Sequence, residues 1–196
     1  MANKDAPFGL RPVGELGSNI QNSGTTQYRI VSGYGTAIYK GDLVILVTAT
    51  GTLNVAGGTS TDLLGVFNGC FYNDPTTQKP TWKNYYPGSI TPTVGVIDAY
   101  VYDDPFKLFE VQSTGSITYV AAVGKNVDTT YTAGSTINGQ SKVEMTATAG
   151  TGTAQLRVVG ISEDPDNSDA ASANANWIVK INEHLYGATD NDGVGT

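Results

Sequence analysis

The side chains best equipped for chemistry in this chain are a lone histidine, a lone cysteine and several closely spaced aspartates. Their spacing decides what they can do. His184 lies in Ile181-Asn182-Glu183-His184-Leu185-Tyr186, with no second histidine for a metal site and no HExxH frame around it. It is expected to be a polar residue at a strand end. Cys70, in Asn68-Gly69-Cys70-Phe71-Tyr72, has no second cysteine for a disulfide or thiolate cage and no matched histidine to activate it, so it is expected to pack as a small hydrophobe. Asp103 and Asp104, beside Pro105 and close to Asp98, are candidate acid–base carboxylates, yet adjacent residues of a strand point to opposite faces. Strand termination is the simpler role. Asp164, Asp166 and Asp169 offer calcium oxygens at DxDxxD spacing, without the glycine and distal glutamate of an EF-hand loop; a solvated turn competes there with a weak calcium site.

The remaining motifs fail on spacing. Gly124-Lys125-Asn126 has the ending of a phosphate loop, but Tyr119 stands where the first glycine is required and Asn126 where the hydroxyl is required. Gly33-Tyr34-Gly35 lacks the third glycine of a dinucleotide turn. No serine occupies a Gly-x-Ser-x-Gly elbow. No catalytic residue, cofactor or metal is therefore assigned, and an enzyme is not expected. The aromatics Trp82, Tyr85, Tyr86, Tyr100, Tyr102 and Trp177 offer a different function: a stacking platform for sugars, in competition with core or interface packing.

Composition narrows the classes further. A net charge of −7 with only 11 Lys and Arg residues, scattered along the chain, argues against nucleic acid, because phosphate neutralisation needs clustered cations. No run of about 18 apolar residues marks a membrane helix. The opening MANKDAPFGLRPV lacks the apolar core of a secretory signal, so synthesis in the cytoplasm is expected. Hydrophobic and charged shares of 39% and 15%, with 24 glycines, favour short strands and turns over helices. At 196 residues, one domain can bury roughly 70% of its unfolded surface.

The elements that must position these groups are strands. Period-2 patterns of β-branched and aromatic residues occupy 27–32, 42–48, 93–102, 106–112, 142–148, 155–160 and 177–183, each bounded by Gly, Pro, Asp or Asn. A reversal at 49–52 is hairpin-sized. Residues 116–123 suit two helical turns or a strand, and 164–176 reads as an exposed loop. The expected fold is mainly β: an antiparallel barrel or sandwich over residues 26–187, with an extended N-terminal arm over 1–25 and a flexible tail over 188–196. Proline and glycine at high density oppose regular structure in the arm, whose apolar residues must pack back on the parent domain or dock on a neighbour.

Residues 41–46 (GDLVIL), 51–56 (GTLNVA) and 64–67 (LGVF) resemble the strand pattern of lambda-type phage head decoration proteins. From end to end, residues 6–13 (APFGLRPV), 109–112 (FEVQ), 124–126 (GKN), 139–141 (GQS), 157–161 (RVVGI) and 181–184 (INEH) resemble virion structural proteins of tailed bacteriophages. That resemblance implies a cement protein on the capsid exterior, bound to the major capsid protein and forming a homo-oligomer, a trimer on the lambda-type analogy. Phe8, Leu10, Arg11, Pro12 and Val13 are the expected capsid contacts. The alternative is a carbohydrate- or receptor-binding β-sandwich of a phage fibre or tail. Neither reading calls for a nucleic-acid or membrane partner.

Overall fold

The computed structural model describes residues 3–17 and 24–187. The expected C-terminal tail, 188–196, lies outside the described residues. The chain runs through β1 (Arg11–Glu15), β2 (Thr26–Ile30), β3 (Leu43–Val47), β4 (Thr52–Val55), β5 (Leu63–Asn73), β6 (Pro80–Lys83), β7 (Ile97–Tyr102) and β8 (Lys107–Gln112). A single helical turn, α1 (Tyr119–Ala122), then precedes β9 (Asn126–Thr130), β10 (Glu144–Gly150), β11 (Leu156–Ile161) and β12 (Asn176–Ile181). The ambiguous stretch 116–123 thus holds one turn of helix, ended where Gly124 donates to the Val158 carbonyl. Among the described residues no helix is long and apolar enough to cross a membrane.

The strands form two antiparallel sheets that pack together as a β-sandwich. One has the order β1-β8-β12-β11-β9-β10; the other has β2-β7-β5-β3-β4, with β6 paired to the far end of β5. In the second sheet the end strands β2 and β4 approach each other, so the sheet curls almost into a barrel. Two cores result. The inter-sheet core joins Phe109, Val111, Leu156, Trp177 and Val179 to Leu43, Leu63 and Val66, and the barrel core holds Ile38, Leu64, Phe67, Cys70, Tyr72 and Val101.

Strand β5 serves both cores. Leu63 and Val66 face the first, while Leu64 and Phe67 face the second; these odd spacings break simple alternation, because the pairing with β3 skips Leu64 and shifts the phase there by one residue. A bulge between Phe67 and Gly69 then shifts the phase by one residue, which brings Cys70 and Tyr72 onto the same side as Phe67. Trp177 is the largest fully buried side chain. Its Nε1 has no hydrogen-bond partner, a cost of about 1–3 kcal/mol that burial of the indole offsets.

The N-terminal segment is extended, but it is not without regular structure. Residues 11–15 form β1, an edge strand paired to β8, with a bulge between Pro12 and Gly14. The proline and the bulge remain from the pattern that spoke against a strand, and they blunt the free edge. Ahead of β1 the chain is tied to its own body. Asn3 Nδ2 donates to the Asp169 and Ala173 carbonyls at 2.8 and 2.9 Å. Gln112 accepts from Ala6 N and donates to the Lys4 carbonyl, both at 3.0 Å. Gln140 Nε2 donates to the Phe8 carbonyl at 2.6 Å, and Leu10 N donates to the Gly41 carbonyl at 2.9 Å. Gly9, at φ +73°, allows this close crossing, because a Cβ there would stand 2.5 Å from that of Ser141.

Leu10 completes the anchorage, only 2% exposed within the inter-sheet core. Of the two fates open to the apolar arm, packing on the parent domain is the one seen for this residue. Leu10→Ala is therefore expected to destabilise the whole domain by about 2–5 kcal/mol in urea unfolding. An unchanged midpoint would mean that the segment is not part of the cooperative fold.

Candidate interaction surface

The five residues singled out near the N-terminus part company. Leu10 is internal and presents nothing to a partner. Phe8 is half-buried, with the Arg11 guanidinium over its ring at 4.8 Å. Arg11 keeps 56% of its side chain in solvent while Nε and Nη2 both donate to Oε2 of Glu110, which is buried. The other oxygen of Glu110 accepts from Asn176 Nδ2 at 3.2 Å, so the carboxylate is held from both sides. Val13 is exposed at the bulge, and Pro12 lies at the mouth between the two sheets.

That mouth is a cleft of ≈ 220 Å³, floored by Leu10, Pro12, Val66, Phe67 and Tyr102 and rimmed by Arg11, Lys40 and Gln140. Lys107 and Glu15 pair at 3.2 Å across β8 and β1, with both side chains buried. A buried pair of this kind is costly to break, since the surviving partner keeps an uncompensated charge. Farther along the same edge, Leu16 N donates to the Phe106 carbonyl at 2.9 Å, and both side chains stand exposed, Phe106 at 59%. Val13, Leu16 and Phe106 are thus exposed apolar side chains along the β1 edge, and of the two cations at the cleft Arg11 is already paired with Glu110.

Beneath the cleft lies Asp42, wholly buried. Its Oδ2 accepts from Tyr39 N at 2.8 Å and Ser141 also hydrogen-bonds it, but Oδ1 has no partner. Loss of hydration pushes its pKa up to about 6, against the lowering effect of those hydrogen bonds. Asp42 adjoins Gly41, whose carbonyl receives Leu10, and Ser141 is the residue that Gly9 crosses.

The other candidates for chemistry do not converge. Among the described residues no three His, Cys, Asp or Glu side chains come together as a metal site would need. His184 follows β12, bridged to Leu63; its Nδ1 accepts from Tyr186 N at 3.1 Å, and burial lowers its pKa. Burial pushes the Cys70 thiol up to about 12, which leaves it a packing group. Asp103 accepts from Thr26 Oγ1 and Tyr28 Oη at 2.8 and 2.7 Å, and Asp104 Oδ1 caps Phe106 N. Asp164 and Asp169 accept from the backbone amides of Asp166 and Ala171, two residues on in each case. The roles of Asp104, Asp164 and Asp169 are turn-forming, whereas Asp103 ties the end of β7 to β2.

The aromatics divide likewise. Trp177 and Tyr86 are fully buried, Tyr102 packs against the inter-sheet core, and Tyr85 stacks on Tyr39 with centroids 5.8 Å apart. Only Trp82 and Tyr100 meet at the surface, at 5.2 Å. Lys40 and Gln140 were not foreseeable as cleft residues, because each is remote in sequence from the arm and no local pattern marks them. Phe71, which joins Trp82, was hidden for another reason: the bulge in β5 reverses the face that simple alternation would assign.

Compared with known proteins, the chain matches no family model, no curated protein and no solved structure.

Asp42 makes a pH test of this region possible. Its folded pKa lies above the ordinary carboxylate value, so the native state binds the proton more tightly. Its contribution is complete below about pH 4 and is lost as the pH rises through about 6. Asp42→Asn is expected to gain on the parent by on the order of 2–3 kcal/mol between pH 4 and pH 8 in urea unfolding. Parallel pH profiles for the two proteins would refute the assignment.

Proposed function

We propose that the protein is a structural component of a tailed-phage virion, a decoration protein that binds the major capsid protein lattice from outside and stabilises the shell. The end-to-end likeness to virion proteins supports this reading. So does the spread of the potentially reactive side chains, which serve turns, packing and ion pairs. The observation that carries it is the N-terminal segment, clamped to its own body so that Arg11, Pro12 and Lys40 border a cleft beside the exposed Val13, Leu16 and Phe106. An apolar floor with Lys40 on its rim suits an extended segment of a partner that carries an acidic group.

Rigidity matters to this function. A contact made by a pre-ordered segment loses little conformational entropy on docking, and each site then needs only modest affinity. A homo-oligomer, a trimer in this proposal, repeats the contact on a symmetric shell and gains avidity from the repetition. The net charge of −7 is consistent with a protein that faces solvent rather than packaged nucleic acid.

Purified chain is expected to bind shells from which it is missing. Phe106→Asp and Lys40→Glu, each at an accessible position, should weaken that binding by about ten-fold or more with the thermal melt unchanged. Co-sedimentation with shells measures it. Wild-type binding by both variants would discard the cleft, and absence of the chain from purified virions by mass spectrometry would discard the function.

A further inference from the structure

Away from the cleft, the feature that folding explains least is the aromatic row on the outward face of the barrel sheet. Cross-strand register sets Trp82 of β6 opposite Phe71 of β5, Phe71 opposite Asp98 of β7, and Asp98 opposite Arg29 of β2. One pleat along, Gly69 stands opposite Tyr100, and Tyr100 opposite Gln27. Gly69 is what lets the row close. A Cβ there would lie 2.6 Å from Cζ2 and 3.0 Å from Cη2 of Trp82, so the indole crosses β5 over the space a side chain would fill. It reaches Tyr100 at a centroid distance of 5.2 Å and an interplanar angle of 57°.

These rings are held in place and yet left in water. Trp82 is 51% exposed and Phe71 39%. Neither belongs to a core, whereas Ile97, Ala99 and Val101, alternating with Asp98 and Tyr100, fill the barrel. The groups beside them are polar and of both signs. Among the described residues no ion pair joins Arg29 to Asp98; Asp98 Oδ1 is buried without a hydrogen-bond partner, so a ligand would meet this carboxylate through Oδ2.

We propose that this row is a binding site for a neutral saccharide chain. A pyranose ring has one face of C–H groups, slightly positive, which matches the negative face of an indole. Its edge carries hydroxyls that both donate and accept, and Arg29, Gln27 and Asp98 together supply both functions at adjacent strand positions. The balanced charges of Arg29 and Asp98 suit a neutral polyhydroxyl ligand; a polyanion would also meet the acidic surface of the whole chain. Because Gly69 and Tyr100 already restrain the indole, stacking costs little rotamer entropy. The site stands apart from the N-terminal cleft and does not depend on the function proposed for it.

The intact chain is to be titrated with neutral cello-, chito-, manno- and galacto-oligosaccharides, followed by calorimetry and tryptophan fluorescence. The chain has 2 tryptophans, and Trp177 is fully buried, so a fluorescence change on binding reports Trp82. At least one sugar is expected to bind and to shift that emission. Trp82→Ala and Arg29→Ala should each weaken binding by about ten-fold or more, and Trp82→Phe by less. Arg29→Ala and Trp82→Phe keep the test valid if Trp82→Ala does not fold. No binding at millimolar sugar, or binding indifferent to Trp82→Phe and Arg29→Ala alike, overturns the inference. A chain that decorates shells but binds no sugar would overturn this inference alone.

Discussion

Strand β5 has to bury both of its faces, and most of the architecture follows from that requirement. One face supplies Leu63 and Val66 to the inter-sheet core, and the other supplies Leu64, Phe67, Cys70 and Tyr72 to the barrel core. A strand covered on both sides needs a layer against each of them. The six-stranded sheet beginning with β1 covers one side, and the curl that brings β2 toward β4 encloses the other. The small residues of β5 belong to the same arrangement: Gly65 lies so close to Tyr102 that a Cβ would be 2.2 Å from its carbonyl oxygen, and Gly69 yields its space to Trp82.

The N-terminal segment shows how a chain rich in proline and glycine becomes ordered without regular ladders over its length. Side-chain amides take the place of strand partners: Gln112, Asn167 and Gln140 meet the backbone groups of residues 4, 6 and 8, and Asn3 reaches the carbonyls of Asp169 and Ala173. Each bond contributes about 0.5–1.5 kcal/mol, so no single one would order the segment. The amides align residues 3–8, Leu10 enters the core, and pairing of β1 with β8 carries the run to the buried Lys107–Glu15 pair at its far end. The result is a pre-ordered edge, and a pre-ordered edge suits adhesion better than a tail that must be frozen on contact.

The titratable groups record the same close packing. Burial moves Asp42, Cys70 and His184 away from their ordinary values, each toward its uncharged form. In each case loss of hydration is the largest cause, so the shifts record how deeply these groups are packed.

Much of the fold was legible in the sequence. Runs such as DLVILVT and WIVKINE alternate with period 2 and carry branched residues, and that local steric preference places β3 and β12 whatever surrounds them. The reversal at 49–52 is equally local, set by a short turn between two such runs. The β1, β6 and β9 strands were not legible, because RPVGE, PTWK and NVDTT are four or five residues long and interrupted by Pro, Gly or charged residues, so no alternating apolar run marks them. Alternation also could not foresee the bulge at Phe67/Gly69, so the side on which Phe71 emerges, and with it the row of Trp82 and Tyr100, was a tertiary outcome. The same is true of the cleft: Leu10, Lys40 and Gln140 meet only after the two sheets close on each other. Sequence by itself determined a β-rich, acidic chain without a reactive motif, since composition and spacing act locally. Which surfaces it presents was decided by sheet packing, which acts between residues that the chain keeps far apart.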